Sequence, residues 1–333
     1  MNAIFLSEYP EKLEVVYAPA LRDTICRETG CDGAFYKKED ILAQPGRFAK
    51  VKWIFSTWGM PAFTEEELAQ YLPDLEAVFY AAGSVQSFAR PILRRGAKIF
   101  SAWMANAVPV AEYTVAQILL ANKGFYGASR LLSMGAVAAA REMAEAYPGN
   151  YEAVVGIIGT GAVGRLVCQM LKPYHLRVLA CSLELDEAMA RELGVEKCDI
   201  DTIFRSCHVV SNHLANNEKT RGIFRREHFA SMLPYATFLN TGRGAQVVEA
   251  DLAEVLRQRS DLTAVLDVTD PEPPMAGSPF YTLPNCVLTP HIAGSSGLEV
   301  RRMAQWIWEE SLRYRDGLPC RYEVTEEMLE VMA

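Results

Sequence analysis

The chain has 333 residues, half of them apolar, and a formal charge of −8 from 33 basic and 41 acidic side chains. That length exceeds what a single core fills comfortably, so two domains are expected. The acidic balance argues against a nucleic-acid surface, which needs Lys and Arg to neutralise phosphates.

The N-terminal stretch MNAIFLSEYPEKLEV has no basic n-region and meets Glu8 after a short apolar run, unlike a signal peptide. Short apolar runs rich in β-branched and aromatic residues follow: AIFL, LEVVYA, VKWIFST, LEAVFYAAG and AKIFSAW read as strands with helical patterns between several of them. This alternation predicts an α/β domain with a mostly parallel sheet. A long helix is expected from about Pro109, PVAEYTVAQILLANKG, with proline in its first turn. A second helical stretch, YGASRLLSMGAVAAAREMAEAY, runs to PGN.

The alternation then restarts. AVVGIIG, RVLACS, HVVSNH, ATFLNTG, LTAVLDV and CVLTPH read as strands, joined by helices such as AVGRLVCQMLKPY and EADLAEVLRQRS. This describes a complete doubly wound domain to about residue 293. The amphipathic segment GLEVRRMAQWIWEESLRYRDG is left over, and it is expected to cross back onto the first domain. No uncharged run reaches the ~18 residues that span a bilayer. Paired basics such as Arg94-Arg95 and Arg301-Arg302 read as solvated helix faces. The eight cysteines form no C-x-x-C or Cys/His zinc spacing. They read as reduced thiols of a soluble cytoplasmic protein that calls for no metal.

Gly159, Gly161 and Gly164 form GTGAVG between a buried strand and a helix, the context that a dinucleotide-binding loop requires. The first glycine permits a tight turn, the second lets backbone approach a pyrophosphate, and the third lets helix and strand pack closely. The helix N-terminus supplies free N–H groups for phosphate. About twenty residues on, an NAD enzyme offers an acidic residue to the ribose, but the strand-end position here is Ser182. Serine can bond the 2′-hydroxyl or leave room for a 2′-phosphate. Glu184 would repel that phosphate and no basic residue follows before Arg191, so NAD(H) is favoured with NADP(H) left open.

LNTGRGAQVVE, AVLDVTDPEPP and VLTPHIAGSSG each begin as a strand and break into a loop at the carboxyl end, where such sheets place ligands. Singly, Arg243 reads as a surface ion pair, Glu272 as a polar turn residue and His291 as a satisfied buried histidine. At successive strand ends of one nucleotide domain, the three are expected to converge.

These blocks, with GIIGTGAVG, VVSNHLANNEKTRGIF and LPNCVLTPHIAGSS in order, resemble the D-isomer-specific 2-hydroxyacid dehydrogenase family over nearly the whole chain. The resemblance implies a Rossmann-type doubly wound parallel sheet, 109–293, inserted into a flavodoxin-like α/β substrate domain formed by 1–108 and 294–333. It therefore accounts for a glycine loop so far into the chain. By the same resemblance Arg243 binds the substrate carboxylate, His291 is the catalytic acid/base, and Glu272 orients it and raises its pKa. Asp267 meets the nicotinamide carboxamide. Ala162, Val163, Leu214, Ala215, Thr220, Thr241 and Gly242 line the cofactor, although the family usually has proline at Ala215. Gly83, Ser84 and Val85, in AAGSVQS, and Asn106 serve the substrate.

The implied reaction is reversible hydride transfer between a nicotinamide and a 2-keto acid, in a cleft that closes about the two crossovers. A homodimer is implied, with 110–147 as its interface. The alternatives are a formate dehydrogenase, against which Glu272 speaks, an NAD(H)-sensing binding protein without significant turnover, and a purely structural protein, which leaves the three strand-end residues unexplained.

Overall fold

In the computed structural model, which describes residues 2–330, the chain divides into two units, 2–106 with 295–330 and Ala107–Gly294. The first unit begins with five parallel strands, β1 (Ala3–Leu6), β2 (Phe35–Tyr36), β3 (Trp53–Ser56), β4 (Ala77–Tyr80) and β5 (Lys98–Ser101). Their order in the sheet is β2-β1-β3-β4-β5, the flavodoxin-like arrangement. Alternate residues feed opposite faces, as a strand's two-residue period demands. Ile4, Leu6, Ile54, Val78 and Ile99 enter one core, while Phe5, Phe55, Phe79 and Phe100 enter the other.

The second unit carries β6 (Val154–Ile158), β7 (Arg177–Cys181), β8 (Glu196–Lys197), β9 (Val209–Asn212), β10 (Thr237–Asn240), β11 (Thr263–Leu266) and β12 (Cys286–Leu288). All are parallel, in the order β8-β7-β6-β9-β10-β11-β12. The order reverses between β6 and β9, the topological switch point at which doubly wound sheets bind ligands. The chain then returns to the first unit through helix Val300–Arg315 and β13 (Glu323–Val324), which pairs antiparallel with β5. That helix buries Val300, Met303, Ala304, Ile307 and Trp308, a stripe at helical spacing that packs on the Phe5/Phe79 face.

Three expectations fail locally. LEVVYA is not a strand: Pro10–Val16 is a helix with Pro10 in its first turn, and Leu13 and Val16, three apart, are its buried face. Its β-branched residues suggested a strand, but a one-sided core contact suits a helix better. The helix expected from Pro109 starts at Trp103 and runs to Ala121 with Pro109 inside it. Burial of Ala102 and Ala105 in the first unit's core favours the earlier start over the preference for proline in a first turn. The single stretch from Tyr126 to Tyr147 is two helices, Phe125–Ser133 and Val137–Glu145, broken where Gly135 takes a left-handed φ of 79°. Among the described residues no helix is long and apolar enough to cross a membrane.

Candidate active site

β6 stops at Ile158, and helix Ala162–Leu171 begins after Gly161 as its N-cap. Gly159 has φ 95°, and a Cβ there would lie 2.6 Å from the His213 carbonyl oxygen. A Cβ on Gly164 would collide with the Gly159 carbonyl, so the helix approaches the turn after β6 this closely because position 164 is glycine. At Gly161 the opposite holds: a Cβ would find nothing within 4 Å. Beside that open space the Thr160 hydroxyl is buried with no partner among the described residues. Ala162 and Val163 occupy the first turn, whose N–H groups have no intrahelical acceptor. An unpaired hydroxyl, open backbone and a helix N-terminus together fit a dinucleotide pyrophosphate. Ser182 directly follows β7, with Leu183 and Glu184 exposed beyond it.

The strand ends of β10, β11 and β12 carry the charged groups. His291 Nδ1 lies 2.7 Å from Glu272 Oε1. His291 has a left-handed φ of 53°, a costly conformation for a non-glycine residue and one that its surroundings must hold. Buried Asp267 does so. Its carbonyl accepts the His291 N–H at 3.1 Å, while its carboxylate accepts from Ile292 N at 2.8 Å, Ala293 N at 2.9 Å and Thr289 Oγ1 at 2.6 Å. Tyr113 Oη extends this chain to Thr289 Oγ1 at 3.1 Å. Burial pulls the Arg243 guanidinium's pKa below its ordinary value, and the nearby Glu272 charge opposes that pull. Arg243, Glu272, His291 and Asp267 thus form one group within the second unit.

The loop after β9 is held from within. Thr220 Oγ1 donates to the Ala215 carbonyl at 2.7 Å, and Leu214 N donates to Asn212 Oδ1 at 3.1 Å. His213 Nε2 pairs with Ser211 Oγ at 2.8 Å, and Thr241 Oγ1 lies 3.5 Å from its Nδ1 and 3.3 Å from Thr114 Oγ1. Desolvation pushes the His213 pKa down to about 3, which keeps the ring neutral. Sequence reading singled out neither His213 nor the buried amides Asn212, Asn240 and Gln246, which surround Gly242 and Arg243. For Asn212 and Asn240 the one sequence signal is an amide at the end of a strand, and His213 and Gln246 lie in the loops that follow.

In the first unit, Gly83, Ser84 and Val85 follow β4. The Gly83 carbonyl accepts from Ser101 Oγ at 2.6 Å, Val85 is buried and Ser84 is exposed. Asn106 adjoins this loop: its Nδ2 would lie 3.8 Å from a Cβ on Gly83, and its Oδ1 accepts from Ser295 N at 3.0 Å.

Residues 115–293 match the family profile described as D-isomer specific 2-hydroxyacid dehydrogenase, NAD binding domain. D-3-phosphoglycerate dehydrogenase of Archaeoglobus fulgidus is 30% identical over 237 residues, covering 71% of this chain and 44% of that protein. The chain spans about half the length of the curated relatives it matches. Among solved structures, a phosphoglycerate oxidoreductase from Rhizobium etli superposes with a TM-score of 0.78 at 19% identity, covering 98% of this chain and 99% of that one. The NADPH-dependent glyoxylate/hydroxypyruvate reductase of Sinorhizobium meliloti, in complex with NADP and sulfate, superposes with a TM-score of 0.72 at 22% identity, covering 99% and 100%. These structures share the fold. With more than half of its length matching the profile, the chain belongs to the D-isomer specific 2-hydroxyacid dehydrogenase family.

Proposed function

We propose that the protein is a nicotinamide-dependent oxidoreductase that interconverts a 2-keto acid and a D-2-hydroxy acid. The observation that carries this reading is the His291–Glu272 pair beside Arg243, at the carboxyl ends of strands in a dinucleotide-type sheet. Glu272 accepts a hydrogen bond from Nδ1–H, leaving Nε2 to serve the substrate oxygen. In the reducing direction His291 donates its proton to the carbonyl oxygen that becomes the hydroxyl, and in the other direction it takes that proton back. The Arg243 guanidinium holds the substrate carboxylate through its paired donors. A nicotinamide, when bound, would supply the hydride to the carbonyl carbon in reduction and take it from the same carbon of the hydroxy acid in oxidation.

In this reading Ala107–Gly294 is the nucleotide-binding domain. Gly159, Gly161, Gly164, Ala162 and Val163 hold its pyrophosphate, and Leu214, Ala215, Thr220, Thr241 and Gly242 line the nicotinamide half. Asp267 receives the carboxamide while keeping the His291 turn in place. The first unit binds substrate, with Gly83, Ser84, Val85 and Asn106 contributing. Ser182 and Glu184 favour NAD(H), since an exposed carboxylate repels a 2′-phosphate. Eight free thiols suit a cytoplasmic setting. The exposed Leu120, Phe125, Leu132, Met134 and Val137 make 110–147 the surface for a homodimer. The test is oxidation of NADH and of NADPH against glyoxylate, hydroxypyruvate, pyruvate and a branched 2-keto acid. Turnover of one or more acids is expected, and a folded protein that turns over none overturns the reading.

A further inference from the structure

Three side-chain amides lie beneath the Arg243 turn. Asn212 ends β9, Asn240 ends β10, and Gln246 closes the 3-10 turn Gly244–Gln246; none is more than 1% exposed. Gln246 uses its full hydrogen-bonding capacity. Its Oε1 accepts from Asn212 Nδ2 at 2.5 Å and from Arg243 N at 3.3 Å, while its Nε2 donates to the carbonyls of Leu214 and Ala215, each at 2.9 Å. Asn212 Nδ2 also donates to Asn240 Oδ1 at 2.9 Å, and Asn212 Oδ1 accepts from Leu214 N at 3.1 Å. Asn240 completes the set, with Oδ1 accepting from Gly242 N at 3.1 Å and Nδ2 donating to the Arg243 carbonyl at 3.1 Å.

Arg243 is therefore held at both of its backbone groups, and its Nη1 donates to the Gly242 carbonyl at 2.7 Å. The fit is close: a Cβ on Gly242 would lie 2.8 Å from Asn212 Nδ2 and 3.0 Å from Gln246 Oε1. Buried amides are costly unless fully satisfied, and apolar side chains would join the strands without that risk. Here most of the bonds go to backbone atoms of the 214–215 and 242–243 loops, the segments assigned above to nucleotide and to carboxylate.

We infer that Asn212 and Gln246 are positioning residues that tie the Arg243 carboxylate clamp and the Leu214–Ala215 nucleotide loop into one rigid frame. The inference rests on the proposed function for the identity of the two ligands. Its test compares wild type with Gln246→Met, which keeps the length and loses the bonds, and with Asn212→Leu. The readouts are kcat and KM for the best 2-keto acid, and calorimetric binding of oxalate, a carboxylate probe that undergoes no chemistry. Losing buried hydrogen bonds of this kind is expected to raise KM and weaken oxalate by about tenfold or more. In an Arg243→Lys background the same substitutions should add less than about twofold, because they act through that residue.

Should Gln246→Met fail to fold, Gln246→Glu keeps the acceptors facing Asn212 and Arg243 and loses the donors to 214 and 215. It is expected to weaken NADH binding more than oxalate binding. Unchanged KM and oxalate affinity in the variants, or full additivity with Arg243→Lys, overturns the inference. A wild type that binds no oxalate overturns it as well. A wild type without turnover whose oxalate affinity still falls in the variants would leave the frame standing and remove the proposed reaction.

Discussion

Glu272 serves two partners: its Oε1 lies 2.7 Å from His291 Nδ1, and its charge acts on the half-buried Arg243 guanidinium. One carboxylate thus pairs with the imidazole that the proposed reaction uses as its proton carrier and partly compensates the cation. His291→Ala is expected to lower kcat by about a hundredfold or more, the range for losing a positioned general acid, with NADH affinity little changed. Glu272→Gln keeps an acceptor without the charge, so the ring loses its charged partner and kcat should fall, by less than in His291→Ala, with NADH affinity little changed. Steady-state rates and NADH fluorescence titration check both, and a His291→Ala variant with full activity would remove the residue from this role.

Arg243→Gln retains donors without charge or fork. KM for the 2-keto acid should rise by about tenfold to a hundredfold, the worth of a charge-assisted bond, with NADH affinity nearly unchanged. Arg243→Lys should recover only part of the loss, because an ammonium cannot present two parallel donors. Initial-rate kinetics with both variants separate charge from geometry.

The glycines of the nucleotide loop should part company. Gly159→Ala places a Cβ 2.6 Å from the His213 carbonyl at φ 95°, and should destabilise the fold by about 1–3 kcal/mol. Gly161→Ala meets nothing within 4 Å and should leave stability intact while weakening NADH, since the methyl occupies the space assigned to pyrophosphate. Urea midpoints and NADH titration of the pair test this, and equal stability loss in both would contradict the assignment of that space.

His213 should make the fold sensitive to acid. The ring is neutral in the folded protein down to about pH 3, whereas the unfolded chain takes up the proton near 6.5. Between those values the unfolded state binds more protons, so the contribution is fully present above 6.5 and is lost as pH falls towards 3. The slope is at most about 1.4 kcal/mol per pH unit. Urea denaturation at pH 7 and pH 5 should show wild type losing more stability than His213→Asn, and equal losses would mean that the ring is not desolvated.

Much of the second unit was legible in sequence because its signals are local. A glycine loop between a buried strand and a helix needs only its own neighbours to be recognised, and runs such as ATFLNTG and LTAVLDV declare strands that break at their carboxyl ends. The helix at Pro10–Val16 and the break at Gly135 were not, since a one-sided core contact and a left-handed turn carry weak signatures in short apolar stretches. Two-residue strands such as β2, β8 and β13 exist only through pairing with distant partners.

The candidate site divides in the same way. By itself the sequence determined the fold class, the glycine loop and the strand-end positions of Arg243, Glu272 and His291, because strand period and loop chemistry are written within a dozen residues. Only the tertiary structure decided that Asp267 grips the His291 turn and that Asn212, Asn240 and Gln246 close a buried network around Arg243. The physical reason is that a side-chain amide or carboxylate has no preferred partner until folding removes water. The cost of burying it unpaired then favours the arrangement in which these amides and this carboxylate find partners.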